Sequence, residues 1–98
     1  MNNTPKKDPP IDRVKNVNAT IQVPIWRNVD ADGKVSYSTT PAERSYFDKQ
    51  EDRYKTTTTL FNEDNLEVAK LFDRAYERIR ELKEADYQAS KADEQEAA

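Results

Sequence analysis

The sequence predicts an α+β fold: a three- to four-stranded antiparallel β-meander followed by one long C-terminal helix packed on one sheet face. Three observations carry this. Ile21, Val23 and Ile25 alternate with polar positions, the period of a half-buried strand. Asp32-Gly33 stands between two strand-like runs, which marks a hairpin. Val68, Phe72, Ala75, Tyr76, Ile79 and Leu82 recur at helical spacing in a stretch without Gly or Pro from residue 62 onward.

The elements follow in chain order. Residues 1–18 are polar and carry Pro5, Pro9 and Pro10, so a flexible arm is expected, with Ile11, Val14 and Val17 able to dock on the body or on a neighbouring subunit. The first strand contains Pro24, which cannot donate to a ladder; this makes it an edge strand or one with a bulge at that point. Asp30 to Gly33 form the turn. A long second run from Val35 to Phe47 is interrupted by a bulge or bend near Pro41-Ala42. If the bend splits it, the order is β-β-β-β-α; otherwise it is β-β-β-α. Asp48 to Asp52 make a polar turn before a strand from Arg53 to Phe61, in which Thr56 to Thr59 favour β structure because Cβ branching stiffens χ1. Asn62 fits a helix N-cap, Glu63 and Asp64 suit the first turn, and Arg78, Arg80 and Lys83 suit the last turns. The helix is expected from about residue 63 to 84.

Residues 84–98 carry a net charge of −4 and no apolar stripe, so they are expected as an acidic, disordered tail. The folded body is then residues 19–83. A single core of that size is marginal. A helix of about 21 residues spans roughly 31 Å, longer than a strand of about 17–20 Å. Ile79 and Leu82 would therefore overhang the sheet, and a homodimer through this overhang and a sheet edge is expected to bury them.

Composition excludes much chemistry. The 98 residues include no Cys and no His, which removes disulfides, thiolate nucleophiles, histidine acid–base catalysis and zinc sites built on those ligands. The single Gly leaves no phosphate-cradling loop. Asp30-Ala31-Asp32-Gly33 opens like a calcium loop, but position 6 falls on Val35 and position 12 on Pro41, so the loop fails. Asp73 and Glu77 lie one helical turn apart without a third acid. No enzyme activity, metal or cofactor is expected. The first ten residues lack an apolar run, so neither a signal peptide nor a membrane segment is expected, and the chain is expected in the cytoplasm.

Charge is segregated within the predicted sheet. Outside the two turns, positions 20–61 carry Arg27, Lys34, Arg44, Arg53 and Lys55 against one acid, Glu43. Trp26, Tyr37, Tyr46 and Tyr54 are interleaved with them, together with many Ser and Thr hydroxyls. Cations that track phosphates beside rings that stack on bases suit single-stranded nucleic acid. The expected function is therefore non-enzymatic binding of single-stranded DNA or RNA through Trp26, Arg27, Tyr37, Arg44, Tyr46, Arg53, Tyr54 and Lys55. The alternative is a protein-interaction or assembly module using the strand edge near Pro24 and the helix overhang. Which rings are core and which are exposed depends on the strand register.

Ala19-Thr20-Ile21, Ile25-Trp26-Arg27-Asn28, Tyr37-Ser38, Glu43-Arg44-Ser45-Tyr46, Thr58 to Phe61 before Asp64-Asn65-Leu66, and Ala75-Tyr76 together resemble the pattern of a group of small uncharacterised bacterial proteins, over residues 17–82. Their fold is similar to that of the Whirly and transcriptional-coactivator superfamily, whose dimers bind single-stranded DNA on curved sheets. The resemblance implies the same use of the sheet here. Two departures bear on the shape of that face: Gln22-Val23-Pro24 looks inserted before Ile25-Trp26, and one extra residue near Pro41-Ala42 lengthens the second run. An acidic tail tethered beside a cationic face would compete with nucleic acid for it, so removal of residues 84–98 is expected to tighten binding.

Overall fold

The computed structural model describes residues 8–97. Among these residues five strands, β1 (Asp12–Lys15), β2 (Ile21–Val29), β3 (Val35–Thr39), β4 (Glu43–Asp48) and β5 (Arg53–Thr57), precede one helix, α1 (Asp64–Ala97). All strand pairs among the described residues are antiparallel, giving the α+β meander and helix that the sequence predicts, with one strand more than expected.

The additional strand, β1, lies in the segment expected to be a flexible arm. Its apolar signal is a single residue: Val14 is buried, whereas Ile11 is exposed and Val17 entirely so. Asn16 closes the β1–β2 turn, its Oδ1 accepting from the N–H groups of Thr20 and Ile21. Residues 1–7 of the expected arm lie outside the described residues.

β2 is the centre of the sheet rather than an edge. β1 pairs along one side, from Asp12 opposite Ile25 to Lys15 opposite Gln22. On the other side β3 pairs with its second half and β4 with its first two residues. Between the pairs Ile25–Thr39 and Gln22–Glu43, β2 has two residues and the opposing chain has three, Thr40-Pro41-Ala42. This is the bulge expected near Pro41. It also explains Pro24, whose missing N–H falls opposite a break in the ladder and forfeits no hydrogen bond. The two prolines thus meet at one interruption, and β3 and β4 form one bent row.

The turns follow from local chemistry. Asp30 Oδ1 accepts from the N–H groups of Asp32 and Lys34, and Gly33 adopts the positive φ of 82° that closes the hairpin. Asp48 Oδ1 accepts from Gln50 and Glu51 in the β4–β5 turn. Asn62 is not the side-chain cap expected. It takes a left-handed φ of 48°, which Asn tolerates, while the Asp64 carboxylate reaches back to the Phe61 N–H at 3.0 Å.

The core consists of Val14, Ile21, Val23, Ile25 and Ala42 from the sheet side and Val68, Leu71 and Ala75 from α1. The buried stripe of the helix is centred on Leu71 rather than Phe72; Phe72 and Tyr76, expected inside, are exposed. Ile79 and Leu82, expected to overhang, pack partly buried against the core. Polar anchors fix the path of α1. Asn16 Nδ2 donates to Glu67, Arg74 donates to the Lys15 carbonyl at 2.9 Å and Arg78 Nε to Asp12 at 2.6 Å, all at or beside β1. Further on, Asp86 accepts from Arg27 on β2 and from the Tyr37 hydroxyl on β3. The helix therefore crosses from the β1 side to the β3 side while running along β2.

Residues 84–97 continue α1 rather than forming a disordered tail. Ala, Glu, Gln and Lys sustain a helix and no Gly or Pro stops it. Past Asp86 the helix projects about 16 Å beyond its last anchor on the sheet. The radius of gyration of 17.3 Å reflects this projection, since a compact chain of this length has about 13 Å.

Candidate functional site

The register divides the sheet into a face covered by α1 and a face opposite it. Because side chains alternate, Ile21, Val23 and Ile25 set the covered side of β2, and their pairing partners carry that assignment across the sheet. Asp12 and Val14, Arg27, Tyr37, Arg44, Tyr46, Arg53 and Lys55 fall on the covered side. Arg13, Lys15, Gln22, Trp26, Asn28, Ser36, Ser38, Glu43, Ser45, Phe47, Tyr54 and Thr56 fall on the open side.

The eight residues expected to form one binding face are therefore separated. Trp26 and Tyr54 lie on the open face; Arg27, Tyr37, Arg44, Tyr46, Arg53 and Lys55 lie on the other. Each cation of the second group is paired with a carboxylate. Arg27 meets Asp86 at 3.2 Å, Arg44 meets Asp64 at 3.4 Å, Arg53 meets Glu51 at 3.0 Å, and Lys55 lies between Asp48, at 3.1 Å, and Glu51. The expected segregation of positive sheet and negative turns thus fails in space: the acids of the β4–β5 turn fold back onto the cations of the strands.

The electrostatics of these clusters are those of ion pairs. Tyr37 and then Arg27 hold Asp86 below the usual carboxylate range, and burial together with the Asp86 contact raises Tyr37. The Glu51 N–H and then Lys55 hold Asp48 low; Lys55 and then Arg53 do the same for Glu51, and these carboxylates raise Lys55. Arg44 is held further by the Thr59 carbonyl at 3.1 Å and stacks over the Phe61 ring, 5.2 Å from its centroid. These groups brace the hairpin and the helix start; Arg44 and Lys55 are largely covered, whereas the Arg53 side chain stays 64% exposed.

The open face has a different composition. Phe47 and Tyr54 are cross-strand partners and form an edge-to-face pair with centroids 5.2 Å apart; Tyr54 is 74% exposed. Trp26 is half-buried, its indole N–H donating to the Asp8 carbonyl at 3.1 Å, so the segment before β1 passes beside it. Trp26 and the Phe47–Tyr54 pair mark the two ends of a track of about 26 Å at roughly 3.3 Å per residue. Arg13 and Lys15 flank its middle; both are exposed, and neither is in an ion pair among the described residues. The one carboxylate projecting from a strand on this face, Glu43, accepts from Gln22 Nε2 at 3.0 Å. Ser36, Ser38, Ser45 and Thr56 add exposed hydroxyls.

Arg13, Lys15 and Phe47 were missed by the sequence reading. The signal is parity: Ile21, Val23 and Ile25 place Arg27 on the covered side and Trp26 on the other, but a single buried residue, Val14, marks β1, and the bulge shifts the parity of every residue after it. Among the described residues no cluster of acids could hold a metal ion, and no helix is long and apolar enough to cross a membrane. Compared with family models, with curated proteins and with solved structures, the chain gives no match.

Proposed function

We propose that this chain is a non-enzymatic, single-stranded nucleic-acid-binding protein that uses the open face of its sheet. The observation that carries the reading is the placement of Trp26, Phe47, Tyr54, Arg13 and Lys15 on one surface that α1 leaves uncovered, with Glu43 as its only strand carboxylate among the described residues. The rings supply stacking platforms, each worth about 1–3 kcal/mol per base without regard to sequence. Arg13 and Lys15 supply phosphate contacts along one margin, and the hydroxyls donate to phosphate or base edges. This is the use of a sheet that the resemblance to the Whirly superfamily implies, carried by a partly different set of residues, and it suits a protein working in the cytoplasm.

Autoinhibition by the acidic tail does not enter this proposal, because Asp86 reaches Arg27 and Tyr37 on the opposite face and α1 leads the remaining acids away from the track. With two unpaired strand cations on this face among the described residues, in place of the four expected in the site, affinity rests more on stacking than on charge. The test is a Trp26 fluorescence titration with short oligothymidine over a range of salt. Two phosphate contacts predict a log–log slope of about −1.4, at roughly −0.7 per contact on a single strand. Absence of binding at about 20 mM salt would overturn the proposal.

A further inference from the structure

We infer that the outer edge of β3 is the pairing site for a second copy of this chain, joining two sheets into one antiparallel sheet about a twofold axis at Tyr37. β3 pairs with β2 on one side, and on its other side lies no strand among the described residues. The Asp30 N–H donates to the Lys34 carbonyl at the start of this ladder. Hydrogen-bonded and non-bonded pairs alternate along an antiparallel ladder, so Ser36 and Ser38 turn their peptide groups toward β2. Val35, Tyr37 and Thr39 turn theirs outward, as a free row of donors and acceptors.

The edges of this sheet are protected unequally. β1 carries Asp12, Arg13 and Lys15, and the Arg74 guanidinium already occupies the Lys15 carbonyl. β5 carries Arg53 and Lys55, and a copy paired about its centre would set Lys55 against Lys55. Edge lysines of this kind discourage pairing. β3, Val-Ser-Tyr-Ser-Thr, has no charge, no proline and no bulge within it.

It is also self-complementary. Centred on Tyr37, antiparallel pairing places ring against ring, Val35 against Thr39 and Ser36 against Ser38, all favourable cross-strand combinations. The same symmetry gives the helix overhang a neighbour. α1 leaves the sheet past the Val35 end of β3, and the β4–β5 hairpin of the antiparallel second copy extends in that direction on the same face. The end of α1 would run beside the exposed Tyr46 of a hairpin whose Arg53 and Lys55 are already paired with its own Glu51 and Asp48.

The absence of native cysteine makes the test direct. Ser36 and Ser38 are both exposed, and in this pairing they form a non-hydrogen-bonded cross-strand pair, with Cα atoms about 4.5 Å apart, within disulfide range. Full-length Ser36→Cys and Ser38→Cys proteins are mixed and oxidised without nucleic acid. A disulfide-linked dimer is expected in the mixture and not in either protein alone, and the unmodified chain is expected to sediment as a dimer. Thr39→Pro, which removes an outward N–H and leaves the β2 ladder intact, should sediment as a monomer with an unchanged circular dichroism spectrum. A monomeric unmodified chain, a folded Thr39→Pro dimer, or cross-linking no greater in the mixture than in the separate variants would each overturn the inference.

Discussion

Replacing Ile25 with Ala tests the packing argument at its tightest point. Ile25 is fully buried, at 0% exposure, and its backbone is fixed on both sides, opposite Asp12 on β1 and Thr39 on β3. The walls of the resulting cavity therefore cannot close by moving the strand. Substitutions of this type cost about 2–5 kcal/mol, and a site that cannot collapse lies in the upper half of that range, near 4 kcal/mol. The whole chain is expected to have on the order of 5–13 kcal/mol of stability. At roughly 4–8 °C per kcal/mol, the melting temperature should fall by about 15–30 °C. Val29→Ala is the internal control: it has the same strand and parity, but Val29 is 56% exposed, so the change should stay within about 1 kcal/mol. Urea unfolding followed by Trp26 fluorescence and by helical circular dichroism measures both variants. If the two cost the same, or if Ile25→Ala loses under about 1 kcal/mol, the assigned register and core are wrong.

Further predictions follow from the same geometry. Arg13→Ala and Lys15→Ala should each reduce the salt slope of oligothymidine binding by about 0.7, whereas Arg53→Ala and Lys55→Ala should leave it unchanged; the reverse pattern would move the site to the other face. Gly33→Ala should cost about 1–2 kcal/mol in urea unfolding, all of it conformational, because a Cβ there meets nothing within 4 Å while φ is +82°. Arg78 first, and the β4–β5 and Tyr37 partners elsewhere, hold Asp12, Asp48, Glu51 and Asp86 below their ordinary values. Carboxylates depressed in the folded state stabilise it above their unfolded pKa, and that contribution is lost as pH falls through the folded values. The urea midpoint should therefore drop below about pH 4, and less steeply in Lys55→Gln; a midpoint flat from pH 6 to 2 would contradict this.

What the sequence reveals here is local, and what it conceals is relational. The β2 alternation, the Asp30–Gly33 turn and the bulge at Pro41 are legible because each depends on residues adjacent in the chain. β1 is concealed because one buried residue, Val14, supports it. Pro24 misleads because its tolerance depends on a break in a different strand. The end of α1 cannot be read from charge: arginines near residue 80 suggest a last turn, but nothing beyond them breaks a helix. The buried stripe is displaced by one position, from Phe72 to Leu71, since either residue fits a helical period with Val68 and Ala75. The candidate site suffers most, because cations counted along strands give no indication of parity after a bulge, nor of the acids that the turns return to them.

The amide chemical shifts of the open face during titration with oligothymidine report on its role directly. Binding as proposed shifts Arg13, Lys15, Trp26, Phe47, Tyr54 and the Trp26 indole N–H, released from Asp8, while Tyr46 and Lys55 on the covered side stay in place. Shifts concentrated at Arg27, Tyr46, Arg53 and Lys55, or none at all, would contradict it.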